Sequence, residues 1–180
     1  MIDGASDVVI RRLRLEDLAP FQAGMPAWNG HEYADRLAFQ DRGLAVQLVA
    51  WAAGEAVGKA MVVFPGHVEW SDSAFREGCP EIRDLAVSEA WTRRGIGTAL
   101  VAAAEREASG AGFDRIGLGV GLEPSYGAAR AMYERLGYRT AHGPFISAAR
   151  LEDDERRPLP VAGVCMYLVK TLVEPGSQPS

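Results

Sequence analysis

The chain has 180 residues, 48% of them hydrophobic, with 24 acidic against 19 basic side chains and a formal net charge of −5. This is the size and apolar content of one α/β domain, and the acidic balance argues against non-specific nucleic-acid binding, which needs a basic surface. Two cysteines, Cys79 and Cys165, and three histidines form neither a disulfide framework nor a zinc pattern, and no metal is expected. No signal peptide and no apolar run of about 20 residues is read, so the expectation is a cytoplasmic protein with no membrane contact.

In chain order, Asp7 to Leu13 reads as a first strand, and Leu15 opens a short helix that runs into Pro20. Pro26 and Gly30 interrupt the chain before a second helix, Glu32 to Gln40. Leu44 to Trp51 and Val57 to Phe64 are strands joined by a tight turn at Ala53-Gly54-Glu55, hence a hairpin. Pro65 to Pro80 is a polar loop. Glu81 to Val87 is the next strand, and its apolar residues Ile82, Leu85 and Val87 break strict alternation, which predicts a β-bulge.

A long helix follows over Arg94 to Ala108. Ile96, Ala99, Leu100 and Ala103 form its apolar face, Glu105, Arg106 and Glu107 end it in solvent, and Gly110 and Gly112 stop it. Arg115 to Leu122 is a strand with Gly117, Gly119 and Gly121 on one face, so that either a bulky group or a close-packed helix lies against that face. Ser125 is read as the N-cap of a helix over Tyr126 to Leu136, closed by Gly137. Tyr138 to Ala148 and Val164 to Leu172 are the last strands, with a charged loop, Leu151 to Arg157, between them. Residues 1–173 are expected to form a single domain and Glu174 to Ser180 a disordered tail.

The turn Arg93-Arg94-Gly95-Ile96-Gly97-Thr98, between a strand and a long helix, has the makings of an anion cradle. A helix N-terminus leaves backbone N–H groups without intrahelical partners and carries a positive dipole end. Gly95 and Gly97 keep no side chain in the way, and Arg93 and Arg94 add charge. The third glycine of the dinucleotide fingerprint is missing, and no P-loop occurs.

Asp84-Leu85-Ala86-Val87 with Arg93-Arg94-Gly95-Ile96-Gly97-Thr98-Ala99-Leu100 resembles the acetyl-CoA motif of the GCN5-related N-acetyltransferases, the GNAT superfamily. The first motif position, usually Gln or Arg, is Thr92. Ala129 to Tyr138 resembles the same family's A-x-x-[LF]-Y-x-x-x-G-[FY], with Tyr126 where Asn is common. The resemblance implies an α/β (α+β) fold: a mixed sheet of about six to seven strands, splayed at the cofactor site and flanked by about four helices. It implies acetyl-CoA as cosubstrate. The pantetheine arm would run along Leu85, Ala86 and Val87, with the Val87 N–H at the thioester oxygen, and the pyrophosphate would rest on Arg93, Arg94, Gly95, Ile96, Gly97 and Thr98.

It also implies Tyr133 as general acid to the leaving thiolate and Glu81 as general base, with Asp84 as runner-up or Arg83 pairing with one of the two carboxylates. Trp28, Glu32, Tyr33, Glu69, Trp70 and Asp72 fall in the acceptor wall, where aromatic and acidic groups suit a small cationic amine. A protein lysine or N-terminus is the alternative acceptor, and a silent acyl-CoA-binding module the alternative class. A homodimer is common in folds of this type.

Overall fold

The computed structural model describes residues 8–25, 33–65, 78–146 and 164–172. Its elements are β1 (Val8–Arg12), α1 (Leu18–Gly24), α2 (Tyr33–Asp41), β2 (Ala45–Ala52), β3 (Glu55–Val63), β4 (Glu81–Val87), α3 (Ile96–Gly110), β5 (Arg115–Gly121), α4 (Gly127–Arg135), β6 (Arg139–Ile146) and β7 (Val164–Thr171). The strands form one seven-stranded sheet in the order β1-β2-β3-β4-β5-β7-β6. Among the described residues only β4 and β5 pair in parallel; the other ladders are antiparallel.

The sheet carries helices on both faces, which is why β2 and β3 read as nearly unbroken apolar runs. On one face Leu48, Ala60, Val62, Ile82, Ile116 and Leu118 pack with Ile96, Leu100, Val101 and Ala104 of α3. On the other, Val49, Trp51 and Ala56 pack with Leu13, Phe21 and Met25 around α1. A Cβ on Gly58 would lie 3.2 Å from both Ile96 Cγ2 and Leu100 Cδ1, so the missing side chain lets the first turns of α3 press onto β3.

The expected hairpin is present, but β3 begins at Glu55 because the turn needs only Ala53 and Gly54. Both have positive φ, 48° and 84°, the signature of a two-residue type I′ turn. Rings lie against the glycine face of β5, leaving Gly119 exposed. Added Cβ atoms would meet Tyr167 at Gly117, Phe145 at Gly119 and Tyr126 at Gly121. The helix α3 packs on the opposite face of β5, through Ile116, Leu118 and Val120.

Three local expectations are corrected. Ser125 does not cap the helix over Gly127–Arg135. A 3₁₀ turn, Pro124–Tyr126, precedes it, with Glu123 at its cap position and no side-chain cap bond. Proline suits this start because its φ is preset and its missing N–H would have had no partner. Glu105 and Glu107 do not end α3 in open solvent. Glu105 takes Lys170 Nζ at 2.8 Å on each oxygen and the Tyr138 hydroxyl at 3.1 Å, and Glu107 takes Arg12. Finally, α3 runs two residues beyond Ala108, with Gly110 as its last residue and Gly112, at φ 86°, closing it as expected. There the Phe113 N–H reaches Ala108 O and the Gly112 N–H reaches Ser109 O in a Schellman closure. The expected tail and the Leu151 to Arg157 loop lie outside the described residues.

Candidate functional site

The site is built around a ladder that stops. Strands β4 and β5 pair only at Glu81↔Gly117 and Ile82↔Leu118, although β4 continues to Val87 and β5 to Gly121. Beyond Ile82 the two strands part, and backbone polar groups facing the opening have no strand opposite. Which groups face it follows from the other edge of β4. The Ser88 N–H donates to Val57 O at 2.9 Å. Bonded and non-bonded pairs alternate in an antiparallel ladder, so Val87, opposite Gly58, is a non-bonded position. Its N–H and C=O therefore turn away from β3, toward the side from which β5 has departed. Leu85, Ala86 and Val87 all lie half-buried along this stretch.

Close to the Val87 end is the mouth of α3. Arg93 and Gly95 both have positive φ, 58° and 80°, and Gly95 sits at the N-cap. Glycine bears that conformation without strain. The turn delays helical geometry, so α3 starts at Ile96 and not at Arg94 as the apolar spacing predicted. The first intrahelical bond is Ala99 N–H to Gly95 O, 2.9 Å. The amides of Ile96, Gly97 and Thr98 thus have no intrahelical acceptor, and among the described residues no side chain accepts from them. A Cβ on Gly97 would lie 3.4 Å from Met132 Sδ and 4.0 Å from Val87 Cγ2, so this mouth, the end of β4 and α4 meet at one place. Arg94 stacks over the Trp91 ring at 4.8 Å, while Arg93 is exposed and makes no ion pair among the described residues. These residues fit a diphosphate: open amides, a cradle that a side chain would fill, and nearby guanidinium charge.

Tyr133 lies on α4 and is buried, 6% exposed. A Schellman closure sets its place: the Tyr138 N–H bonds Tyr133 O at 3.0 Å and the Gly137 N–H bonds Glu134 O at 3.1 Å. This closure needs a left-handed residue, and Gly137 has φ 92°. The rings of Tyr133 and Tyr138 then meet edge to face, 5.8 Å between centroids. Burial, aided by the neighbouring Tyr126, pushes the Tyr133 phenol up to about 12, so it keeps its proton throughout the neutral range.

Of the two candidate carboxylates, Glu81 starts β4 at the closed end of the gap, with a side chain only 5% exposed and Arg83 Nε 3.1 Å away. Asp84 is held differently. Its Oδ2 accepts from Arg36 Nη1 at 2.6 Å and from Lys59 Nζ at 2.9 Å. The expected bulge is at this point, because Lys59 pairs with Ala86 while Met61 pairs with Arg83. Asp84 and Leu85 therefore share one place opposite Ala60, and Asp84 has φ 51°.

Sequence reasoning missed Arg36, Lys59, Trp91 and Arg130. The last donates to Gly121 O (2.6 Å) and Glu123 O (3.2 Å), fastening α4 to the end of β5. Signals were faint: one lysine inside an apolar strand, and one arginine on a helix of mixed polarity. Of the acceptor-wall residues, Trp28, Glu32, Glu69, Trp70 and Asp72 fall outside the described residues, and Tyr33 opens α2. No group of three or more His, Cys, Asp or Glu that would hold a metal occurs among the described residues.

The sequence profile of the acetyltransferase (GNAT) family matches residues 11–138 of the chain. No curated protein matches it significantly. Solved structures similar to it include a ribosomal-protein-alanine N-acetyltransferase from Brucella melitensis, 20% identical with a TM-score of 0.66, covering 91% of this chain and 99% of that one. An IAA acetyltransferase from Bacillus cereus is 20% identical with a TM-score of 0.61, covering 92% of this chain and all of the other, 100%. A GNAT family acetyltransferase from Elizabethkingia anophelis with acetyl-CoA bound is 17% identical with a TM-score of 0.59, covering 93% and 99%. At these identities the likeness is one of fold.

Proposed function

This chain belongs to the acetyltransferase (GNAT) family, and from that premise we propose that it transfers the acetyl group of acetyl-CoA to a primary amine of a small cationic molecule, by direct attack of that amine on the thioester carbon with release of the CoA thiol. The observation that carries the reading is the gap between β4 and β5, with the Val87 amide turned toward it and the mouth of α3 beside it.

Amide formation from a thioester needs a place for the diphosphate, a donor for the developing oxyanion, a deprotonated amine and a stabilised thiolate. In the proposed arrangement, Arg93, Arg94, Gly95, Ile96, Gly97 and Thr98 hold the pyrophosphate, and Leu85, Ala86 and Val87 line the pantetheine arm. The Val87 N–H meets the thioester oxygen. Tyr133 donates to the sulfur. A phenol at about 12 faces a thiol of about 8.5, so complete proton transfer is uphill by roughly 5 kcal/mol. The role of Tyr133 is therefore a hydrogen bond that strengthens as charge grows on sulfur, with transfer completed only as burial raises the thiolate's own basicity.

Glu81 is the proposed base, directly or through water, and Arg83 positions its carboxylate. Asp84 is not assigned this role, since two cations already share its Oδ2. The acidic net charge of −5 favours a cationic acceptor through steering. A cytoplasmic setting fits this chemistry, and no helix among the described residues is long and apolar enough to cross a membrane.

Thiol release from acetyl-CoA, measured over a panel of small amines and peptides and over pH, tests this reading. The expected result is turnover on small cationic amines, with Glu81→Gln suppressed most at low pH, where more amine is protonated. Turnover on peptides alone would replace the acceptor class, no turnover with intact CoA binding would make the chain a binding module, and a wild-type pH profile in Glu81→Gln would remove Glu81 as base.

A further inference from the structure

The bulge in β4 does more than bend a strand. At its start, the Gly117 N–H of β5 donates to Pro80 O at 2.8 Å, so the even-numbered residues here turn their polar groups toward β5 and the odd-numbered Glu81 and Arg83, opposite Val63 and Met61, turn theirs toward β3. Continued without interruption, that parity would tie the amide of Val87 into β3. One extra residue, the Asp84–Leu85 pair opposite Ala60, inverts it. After the bulge Ala86 is the residue bonded to Lys59, and Val87 faces the gap.

Asp84 is the residue that bears the unusual backbone, with φ 51°. Aspartate visits this region more readily than most side chains, yet at a cost that the surroundings must cover. Here they do so from two elements. Lys59 of β3, 3% exposed, reaches Asp84 Oδ2 at 2.9 Å, and Arg36 of α2, 8% exposed, reaches it at 2.6 Å. Arg36 also donates to Gln47 Oε1 at 2.7 Å, and the Gln47 amide donates to Leu48 O and Ala60 O. The chain of contacts runs from helix α2 through the β2–β3 backbone to the bulge.

We propose that Asp84 is a positioning residue for acyl transfer: clamped by Arg36 and Lys59, it holds the extra residue that turns the Val87 N–H into the gap, and it fastens α2 to the strand that carries the donor. The catalytic part of this inference rests on the acyl-transfer reading above; the backbone part does not. If the clamp acts this way, its loss affects the chemical step more than coenzyme affinity, because the diphosphate seat on α3 is untouched.

Two readouts test it. The first is residue-resolved amide hydrogen exchange on the protein without ligand, which requires no activity. In the wild type, Ala86 is expected to be protected and Val87 to exchange freely; in Asp84→Ala that contrast is lost. The second is steady-state kinetics with acetyl-CoA and the best amine of the panel. Asp84→Ala and Arg36→Ala are expected to lower kcat at least about tenfold, with the CoA Kd within about threefold of wild type and most of the kcat recovered in Arg36→Lys. The double variant should be no worse than the poorer single one, since both break one network. Should Asp84→Ala fail to fold, Arg36→Ala carries the exchange measurement and Asp84→Asn, which keeps the shape but gives up the charge that Arg36 and Lys59 clamp, carries the kinetic one. An unchanged Ala86/Val87 contrast, or an unchanged kcat in a folded Asp84 variant, would overturn the proposal. A wild type without turnover would strike the acyl-transfer reading alone, leaving the exchange contrast to decide the role of Asp84 in the backbone.

Discussion

Replacing Tyr133 with phenylalanine is expected to lower kcat by about 10²-fold while CoA affinity stays within about twofold. Phenylalanine keeps the ring, so the edge-to-face contact with Tyr138 and the Schellman closure at Gly137 survive. Only the hydroxyl is lost, and among the described residues that hydroxyl makes no hydrogen bond. The variant also separates chemistry from packing through pH. Burial raises the phenol from about 10 in an unfolded chain to about 12 in the fold. The folded state thus holds the proton more tightly, and that contribution is complete below about pH 10 and lost as pH rises toward 12. The wild type should lose melting temperature above pH 10 more steeply than Tyr133→Phe. In the neutral range the phenol stays protonated, so no falling limb of the rate profile there belongs to Tyr133. A kcat equal to wild type would return Tyr133 to a packing role.

Gly97→Glu carries the second large effect. Its Cβ would be in ordinary contact with Met132 and Val87, so the substitution is tolerable as packing, and its carboxylate would enter the mouth of α3. At about 5 Å and an effective dielectric near 20, two unit charges repel by about 3 kcal/mol. After screening by solvent and salt, a loss of roughly 10- to 100-fold in CoA affinity is expected. Gly97→Ala, with the same contacts and no charge, should fold at least as well as wild type and lose far less affinity. Binding within twofold of wild type in Gly97→Glu, read by calorimetry, would mean that the diphosphate does not sit at this mouth.

Much of the fold was legible because local chemistry was strong. Ala53-Gly54 between two apolar runs announced a hairpin, and the broken alternation of Ile82, Leu85 and Val87 announced a bulge, found at Asp84 and Leu85. The Gly-rich turn after Val87 likewise announced an open helix mouth. What stayed hidden depended on partners far along the chain. Lys59 sits in the apolar stretch of β3 after Glu55 and gives no local sign that it faces Asp84. Glu105 read as a solvent residue because Lys170 lies 65 positions away. The glycines of β5 left open whether a bulky group or a close-packed helix lies on them, and only the folded sheet shows that the rings of Tyr167 of β7, Phe145 of β6 and Tyr126 lie against that face. Ser125 misled because a capping side chain and a proline both start helices, and here the proline took the position. Within the site, sequence supplied the strand and the turn, and the structure added the parity that aims the Val87 amide.

The most direct test is a crystal structure of the protein with acetyl-CoA. The account predicts the diphosphate on the amides of residues 95–98, the thioester oxygen about 3 Å from the Val87 nitrogen, and the sulfur nearest the Tyr133 hydroxyl. A coenzyme seated elsewhere, or the opening between β4 and β5 filled by the protein's own side chains in its presence, would contradict it.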